Sequence, residues 1–218
     1  MKKTAVILAF AALAVTLPAS AQSRFVDVIA RASWVDLGAS DAFENGGFDD
    51  SEIEFESEVG FGAALNFFLG DRISLELGAS IFEPEATLTS PNPSVPFLTR
   101  GTLEMIPITG VLQFHFAPES RFDPYIGAGA AYVLFDQLDS TNDIDGVDFE
   151  KLDFEDNAGL ALNLGANIGF SKNFALNLDA KYVPVDSSAE AVFVIGPNST
   201  AEVAVNPLIV SAGLSLRF

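Results

Sequence analysis

The chain contains one histidine, His115, in the run Gln113-Phe114-His115-Phe116, and no cysteine. A lone imidazole activates a hydroxyl nucleophile only if the fold brings a nucleophile and a carboxylate to it. Its position on the element that carries it therefore decides between catalysis and a hydrogen-bonded structural role. Gly127 and Gly129 form a G-x-G, but no helix follows, so a dinucleotide turn is rejected and the pair reads as two small side-chain positions. Asp143, Asp145, Asp148 and Glu150 crowd around Gly146. Oxygen ligands at such spacing can hold Ca²⁺, yet an EF-hand register would put Thr141 at the first ligand position and Leu152 at the twelfth. That stretch reads as a solvated, self-repelling loop, with weak divalent-cation binding as its alternative chemistry. The remaining candidates are charges and amides set singly among apolar residues: Arg31, Glu58, Glu76, Glu104, Gln113, Asn163, Asn177, Asp179 and Lys181. Charges in an apolar setting need partners, so Arg31 and Lys181 are expected to meet the carboxylates.

The elements that carry these residues have a period of two. Val59, Phe61, Ala63, Leu65 and Phe67 alternate with Glu58, Gly60, Gly62, Ala64 and Asn66; Ile73, Leu75, Leu77, Ala79 and Ile81 alternate with Ser74, Glu76, Gly78 and Ser80. The same pattern recurs over 160–170, 176–182 and 208–218, and less regularly over 24–37, 102–116 and 124–136. In the 102–116 segment Ile106, Ile108, Leu112, Phe114 and Phe116 share one face, and Thr109, Gln113 and His115 the other. Pro107 lies on that second face and will cost a ladder hydrogen bond.

Between the eight segments the connections alternate long, short, long. The short ones are Gly70-Asp71, Ala117 to Asp123 and Ser171 to Asn173; the long ones are about 38–57, 82–101, 137–157 and 186–201. A soluble sandwich could share the alternation. It has no reason to share this asymmetry, which an up-and-down transmembrane barrel with both ends in the periplasm must show. Phe67, Phe68, Phe114, Phe116, Phe122, Tyr125, Phe170, Phe174 and Phe218 fall beside short turns, as a periplasmic girdle would; Trp34, Phe55, Phe82, Tyr132, Phe135 and Tyr182 lie toward the long connections. The fold expected is all-β, an eight-stranded antiparallel transmembrane barrel. In it the charged and amide candidates, with His115, face the lumen. Small inward residues such as Gly60, Gly62, Gly78, Gly165, Gly169 and Gly213 leave room either for solute or for side chains from the opposite wall. His115 falls at the periplasmic end, away from the outer leaflet where a lipid hydrolase would work, so no enzyme activity and no cofactor are expected.

Composition sets the outer bounds. Lys2 and Lys3, the apolar run Ala5 to Leu17 and Ala19-Ser20-Ala21 have the form of a secretory signal. Residues 1–21 are therefore expected to be removed, leaving 22–218 as one barrel domain in the outer membrane of a Gram-negative bacterium. That domain holds 9 basic against 30 acidic residues, a net charge of −21, which excludes nucleic acid as a partner. Yet 49% of the residues are hydrophobic, so the chain must segregate the two properties.

Ile106-Pro107-Ile108-Thr109, then Gln113 to Phe116, then Asp123-Pro124-Tyr125-Ile126-Gly127-Ala128-Gly129 with Tyr132, resembles the outer membrane protein W (OmpW) family. The ending Asn206-Pro207, Gly213 and Arg217-Phe218 is similar to that family's last strand. Phe218, closing an alternating strand, resembles the C-terminal signal read by the barrel-assembly machinery. The resemblance implies a narrow, rather apolar lumen that passes small hydrophobic molecules. The density of nine acidic residues between Asp136 and Asp156 is a departure from it. The alternative is a filled barrel with a structural or surface role, its acidic loops contacting cations or lipopolysaccharide. Intact-mass measurement on protein extracted from outer membranes is expected to give a chain beginning at Gln22; a chain retaining Lys2 and Lys3 would contradict the signal assignment.

Overall fold

The computed structural model describes residues 24–38, 52–89, 98–135, 139–140, 149–193 and 199–218. All regular structure among them is strand. In chain order the strands are β1 (Val26–Asp36), β2 (Glu52–Phe55), β3 (Glu58–Phe68), β4 (Ile73–Ile81), β5 (Glu85–Thr89), β6 (Leu98–Thr102), β7 (Met105–His115) and β8 (Phe122–Phe135). They continue as β9 (Asp139–Ser140), β10 (Phe149–Phe154), β11 (Asn157–Gly169), β12 (Phe174–Tyr182), β13 (Val185–Phe193), β14 (Ser199–Val205) and β15 (Leu208–Arg217).

Eight of these close into an antiparallel barrel in the order β1-β15-β12-β11-β8-β7-β4-β3. The seam between first and last strands is fully laddered, from Asp27↔Arg217 to Asp36↔Leu208. The terminal residue extends it: the Phe218 amide donates to the Val26 carbonyl at 3.0 Å, and the Phe25 amide to the Phe218 carbonyl at 2.8 Å. Closure leaves no sheet edge, which is what hydrocarbon demands of a sheet. The outer wall is correspondingly apolar, with Phe61 71% and Leu160 67% exposed. In water, exposed apolar area of this kind costs roughly 25 cal/mol per Å²; against lipid tails it costs nothing comparable.

The three short turns are Leu69–Arg72, Phe116–Arg121 and Phe170–Asn173. Exposed Phe114, Phe116, Phe122, Phe170 and Phe174 ring that end, and exposed Trp34, Tyr132 and Tyr182 lie nearer the other. Tyr125 departs from the girdle expected of it. It is buried inside the barrel, as are Phe82 and Phe135 at the opposite end. Asp123 likewise belongs to β8 and points inward, not to the turn. Both follow from parity, since Asp123 and Tyr125 share the face of Gly127 and Gly129.

The long connections also differ from plain loops. Parts of them extend above the barrel as two small sheets, β2-β5-β6-β9 and β10-β13-β14. The segment expected to start a barrel strand at residue 102 is divided, with 98–102 in the first small sheet and β7 beginning at Met105. The signal segment and Asp143, Asp145 and Asp148 lie outside the described residues.

Close packing of neighbouring strands makes a testable demand. A Cβ on Gly129 would overlap the Gly110 backbone across the β7–β8 ladder, whereas a Cβ on Gly70 would meet nothing. Gly129→Val is expected to abolish the mobility difference between unheated and boiled samples on detergent gels. Gly70→Ala is expected to retain it.

Candidate functional site

The inward face of the barrel changes character half-way along. Toward the long connections it is apolar: Val35, Leu37, Phe82, Leu103, Met105, Val133 and Val183 are all at most 2% exposed and belong to one packed cluster. Toward the short turns it is charged and amide-rich. Alternation puts one residue in two on the inside, and the change is seen along β1 from Val35 to Arg31 and, at the end of β12, from Val183 just beyond it to Lys181.

The upper layer of the polar half centres on Glu76 of β4. Arg31 of β1 grips it with two nitrogens, at 3.0 and 2.6 Å. Lys181 of β12 meets its other side at 2.8 Å and also reaches Asp179 at 2.5 Å. The Arg31 Nε donates to Asn177 Oδ1 at 2.8 Å. Gln113 of β7 donates to both Glu76 (3.2 Å) and Asn163 (2.8 Å). Asp179 accepts from Asn163 and from the Tyr125 hydroxyl, each at 2.7 Å. Two cations thus meet two carboxylates from opposite walls, and the layer is electrically neutral. Tyr125 can reach along the wall from β8 over β11 to Asp179 of β12 because its ladder partner on β11 is Gly165: a Cβ there would overlap the phenol.

Below this layer Ser74, His115 and Asp123 stand in a chain. The Ser74 hydroxyl is 2.9 Å from His115 Nε2, and His115 Nδ1 is 2.8 Å from Asp123 Oδ2. The order is that of a nucleophile, a base and an orienting acid. All three are nonetheless fully buried, with Phe68 and Tyr125 rings tilted against the imidazole at 5.1 and 5.2 Å. In this arrangement the hydroxyl is closed off from solvent, and the three side chains bond to one another within the packed interior. At the mouth Arg24 lies over Phe68, 4.1 Å from the ring centroid. It pairs with Asp27 and, at 3.4 Å, with Asp123.

Of the residues singled out by sequence, Arg31, Glu76, Gln113, His115, Asn163, Asn177, Asp179 and Lys181 come together in this polar half. Glu58 and Glu104 do not: they are half-buried near the long connections. Members that were not singled out are Arg24, Asp27, Asn66, Ser74, Asp123, Tyr125 and Asn167. Their inward parity was a usable signal, but Asp123 and Tyr125 were read as turn and girdle.

One stretch of wall is less tightly laddered. Between β4 and β7 the pairing runs from Ile73↔Phe114 to Ala79↔Ile108. It resumes only at the Phe82↔Met105 bridge. Pro107 lies in the gap opposite Ser80 and has no N–H to donate. On the lumen side of this gap, at the polar layer, is an interior cavity of about 20 Å³ bordered by Ser80, Pro107 and Thr109 and, from other strands, by Arg31, Lys181 and Ser211. That is room for about one water molecule.

The sequence model of the OmpW family matches residues 21–218. Outer membrane protein W of Vibrio cholerae is 28% identical over 186 residues, 84% of this chain and 84% of that one. An outer-membrane protein of Sinorhizobium fredii, y4mB, is 28% identical over 178 residues, 79% of this chain and 71% of that one. The crystal structure of OprG from Pseudomonas aeruginosa superimposes with a TM-score of 0.78 at 21% identity, covering 89% of this chain and 97% of that one, and shares the fold.

The polar layer predicts a definite response to substitution. Glu76→Gln leaves two buried cations, Arg31 and Lys181, sharing the single carboxylate of Asp179, and is expected to lower stability by about 3–5 kcal/mol in chemical unfolding of the refolded barrel. Arg31→Met combined with Glu76→Leu is expected to cost less than that single change, because the desolvation penalty leaves with the pair. Gly165→Ala is expected to destabilise by displacing Tyr125 from Asp179, an effect that Tyr125→Phe should partly relieve.

Proposed function

We propose that this chain, which belongs to the OmpW family of outer-membrane barrels, takes up small apolar molecules from outside the cell and releases them sideways through its wall. The observation that carries this reading is the split interior: an apolar half beneath the long external connections, ending on a neutral layer of paired charges. An apolar solute loses little on entering the first half and gains nothing from the second, where it would have to displace satisfied ion pairs. The axial route to the periplasm is therefore unfavourable, and the Pro107 gap between β4 and β7 is the nearest exit. Hydrophobic solutes are also what the family resemblance implies. Arg31, Glu76, Gln113, Asn163, Asn177, Asp179 and Lys181 would act as the floor of the conduit, not as solute ligands.

Two further assignments belong to the same reading. Residues 1–21 direct secretion and are removed, and Phe218 presents the last strand to the assembly machinery. A second reading draws on the dense packing of the described interior: a filled barrel whose external acidic connections contact lipopolysaccharide or cations.

Flux into liposomes separates the two. Refolded protein is expected to raise entry of a small apolar solute above that of empty vesicles while leaving a polar solute of similar size unchanged. Pro107→Ala, which restores a ladder donor at the gap, is expected to lower the apolar flux without unfolding the barrel. No excess flux of either solute, from protein that is demonstrably folded, would favour the surface role.

A further inference from the structure

We propose that the external mouth filters by charge: uncharged and cationic apolar molecules enter, and anionic amphiphiles, such as carboxylates and sulfates with an apolar tail, are turned back. This rests on the solute-carriage reading and names its substrate class.

Three observations converge on it. Twenty-four of the 30 acidic residues fall within the long connections and their flanks (36–58, 82–104, 136–156 and 183–207), against two of the 11 basic residues, Arg100 and Lys151. Among the described residues Asp36, Glu54, Glu56, Glu83 and Glu85 are exposed there. The side chains beneath the mouth, Val35, Leu37, Phe82, Leu103, Met105 and Val133, are hydrocarbon or thioether and offer an anion no side-chain N–H or O–H. The first cations met further in, Arg31 and Lys181, are already engaged by Glu76 and Asp179.

An approaching anion therefore climbs a negative potential, finds no donor in the apolar half, and ends on a layer with no uncompensated positive charge. A pathway for anions would need at least one cation free to receive them. A neutral solute feels none of this, and a cation is drawn toward the mouth. The exclusion is long-range and must fade with salt, because the screening length falls from about 30 Å at 0.01 M to about 3 Å at 1 M.

The test uses the refolded full-length barrel in phosphatidylcholine vesicles, which add no net surface charge, with three probes sharing an eight-carbon chain. These are methyl octanoate (neutral), octyltrimethylammonium (cationic) and octyl sulfate (anionic), each measured against empty vesicles. At 0.01 M salt protein-dependent flux of the anion is expected to fall about tenfold or more below that of the neutral probe, and at 1 M salt the gap should largely close. The fourfold variant Glu54→Gln, Glu56→Gln, Glu83→Gln, Glu85→Gln is expected to raise anion flux at low salt and leave neutral flux unchanged. Equal flux of all three probes at low salt, or a difference insensitive to salt and to the variant, would overturn the charge filter while sparing the carriage reading. Absence of protein-dependent flux for every probe would overturn the carriage reading, and the filter with it.

Discussion

Hydrocarbon offers no partner to a backbone N–H or C=O, and this single constraint shapes the whole molecule. It forces the sheet to close at β1–β15, down to the last residue, where Phe218 still exchanges hydrogen bonds with Phe25 and Val26. It assigns every second side chain to lipid, so Phe61, Leu160 and Leu164 stand exposed where a soluble protein would hide them. It also fixes how little room is left inside, because eight strands enclose a space that side chains nearly fill. Among the described residues the ladder lacks donors where prolines sit in barrel strands, at Pro107 opposite Ser80 in mid-wall and at Pro124 beside a short turn.

A narrow interior makes its polarity consequential. Side chains from opposite walls touch, so a charge on one strand has to be answered by a strand across the barrel. Arg31 on β1, Glu76 on β4 and Asp179 and Lys181 on β12 answer one another in this way. Ser74, His115 and Asp123 link the neighbouring strands β4, β7 and β8 by side-chain hydrogen bonds along the inner wall. The ion-pair layer ties non-adjacent strands together through their side chains. The apolar cluster above is held by packing alone. The two kinds of cohesion are thus set by the same change in residue type.

The ends of the barrel differ as sharply as its halves. The short turns carry exposed Arg72, Arg121 and Lys172 beside aromatic residues that suit a membrane boundary. The long connections and their flanks carry most of the chain's negative charge, and parts of them pair as the two small sheets. An acidic, largely apolar chain resolves its contradiction by height: apolar outward at the membrane, acidic beyond it.

The eight strands, their order of long and short connections, the outward faces and the membrane setting were legible in sequence, because period-two alternation is a local property that each segment carries by itself. Glu76 and Arg31 could be named as inward for the same reason. The strands above the barrel were not legible as a sheet: segments such as Glu85 to Thr89 alternate only briefly, and their pairing joins connections far apart in the chain. Nor could local pattern give the inward height at which Val35 meets Val133 and Arg31 meets Glu76. It could not tell that Tyr125 lies over Gly165 to reach Asp179, or that Ser74 lies beside His115. Those depend on register between strands and on the stagger of a closed sheet, which shift every residue relative to its neighbours without altering any strand's own alternation. The sequence determined which side chains point inward; only closure decided which of them meet.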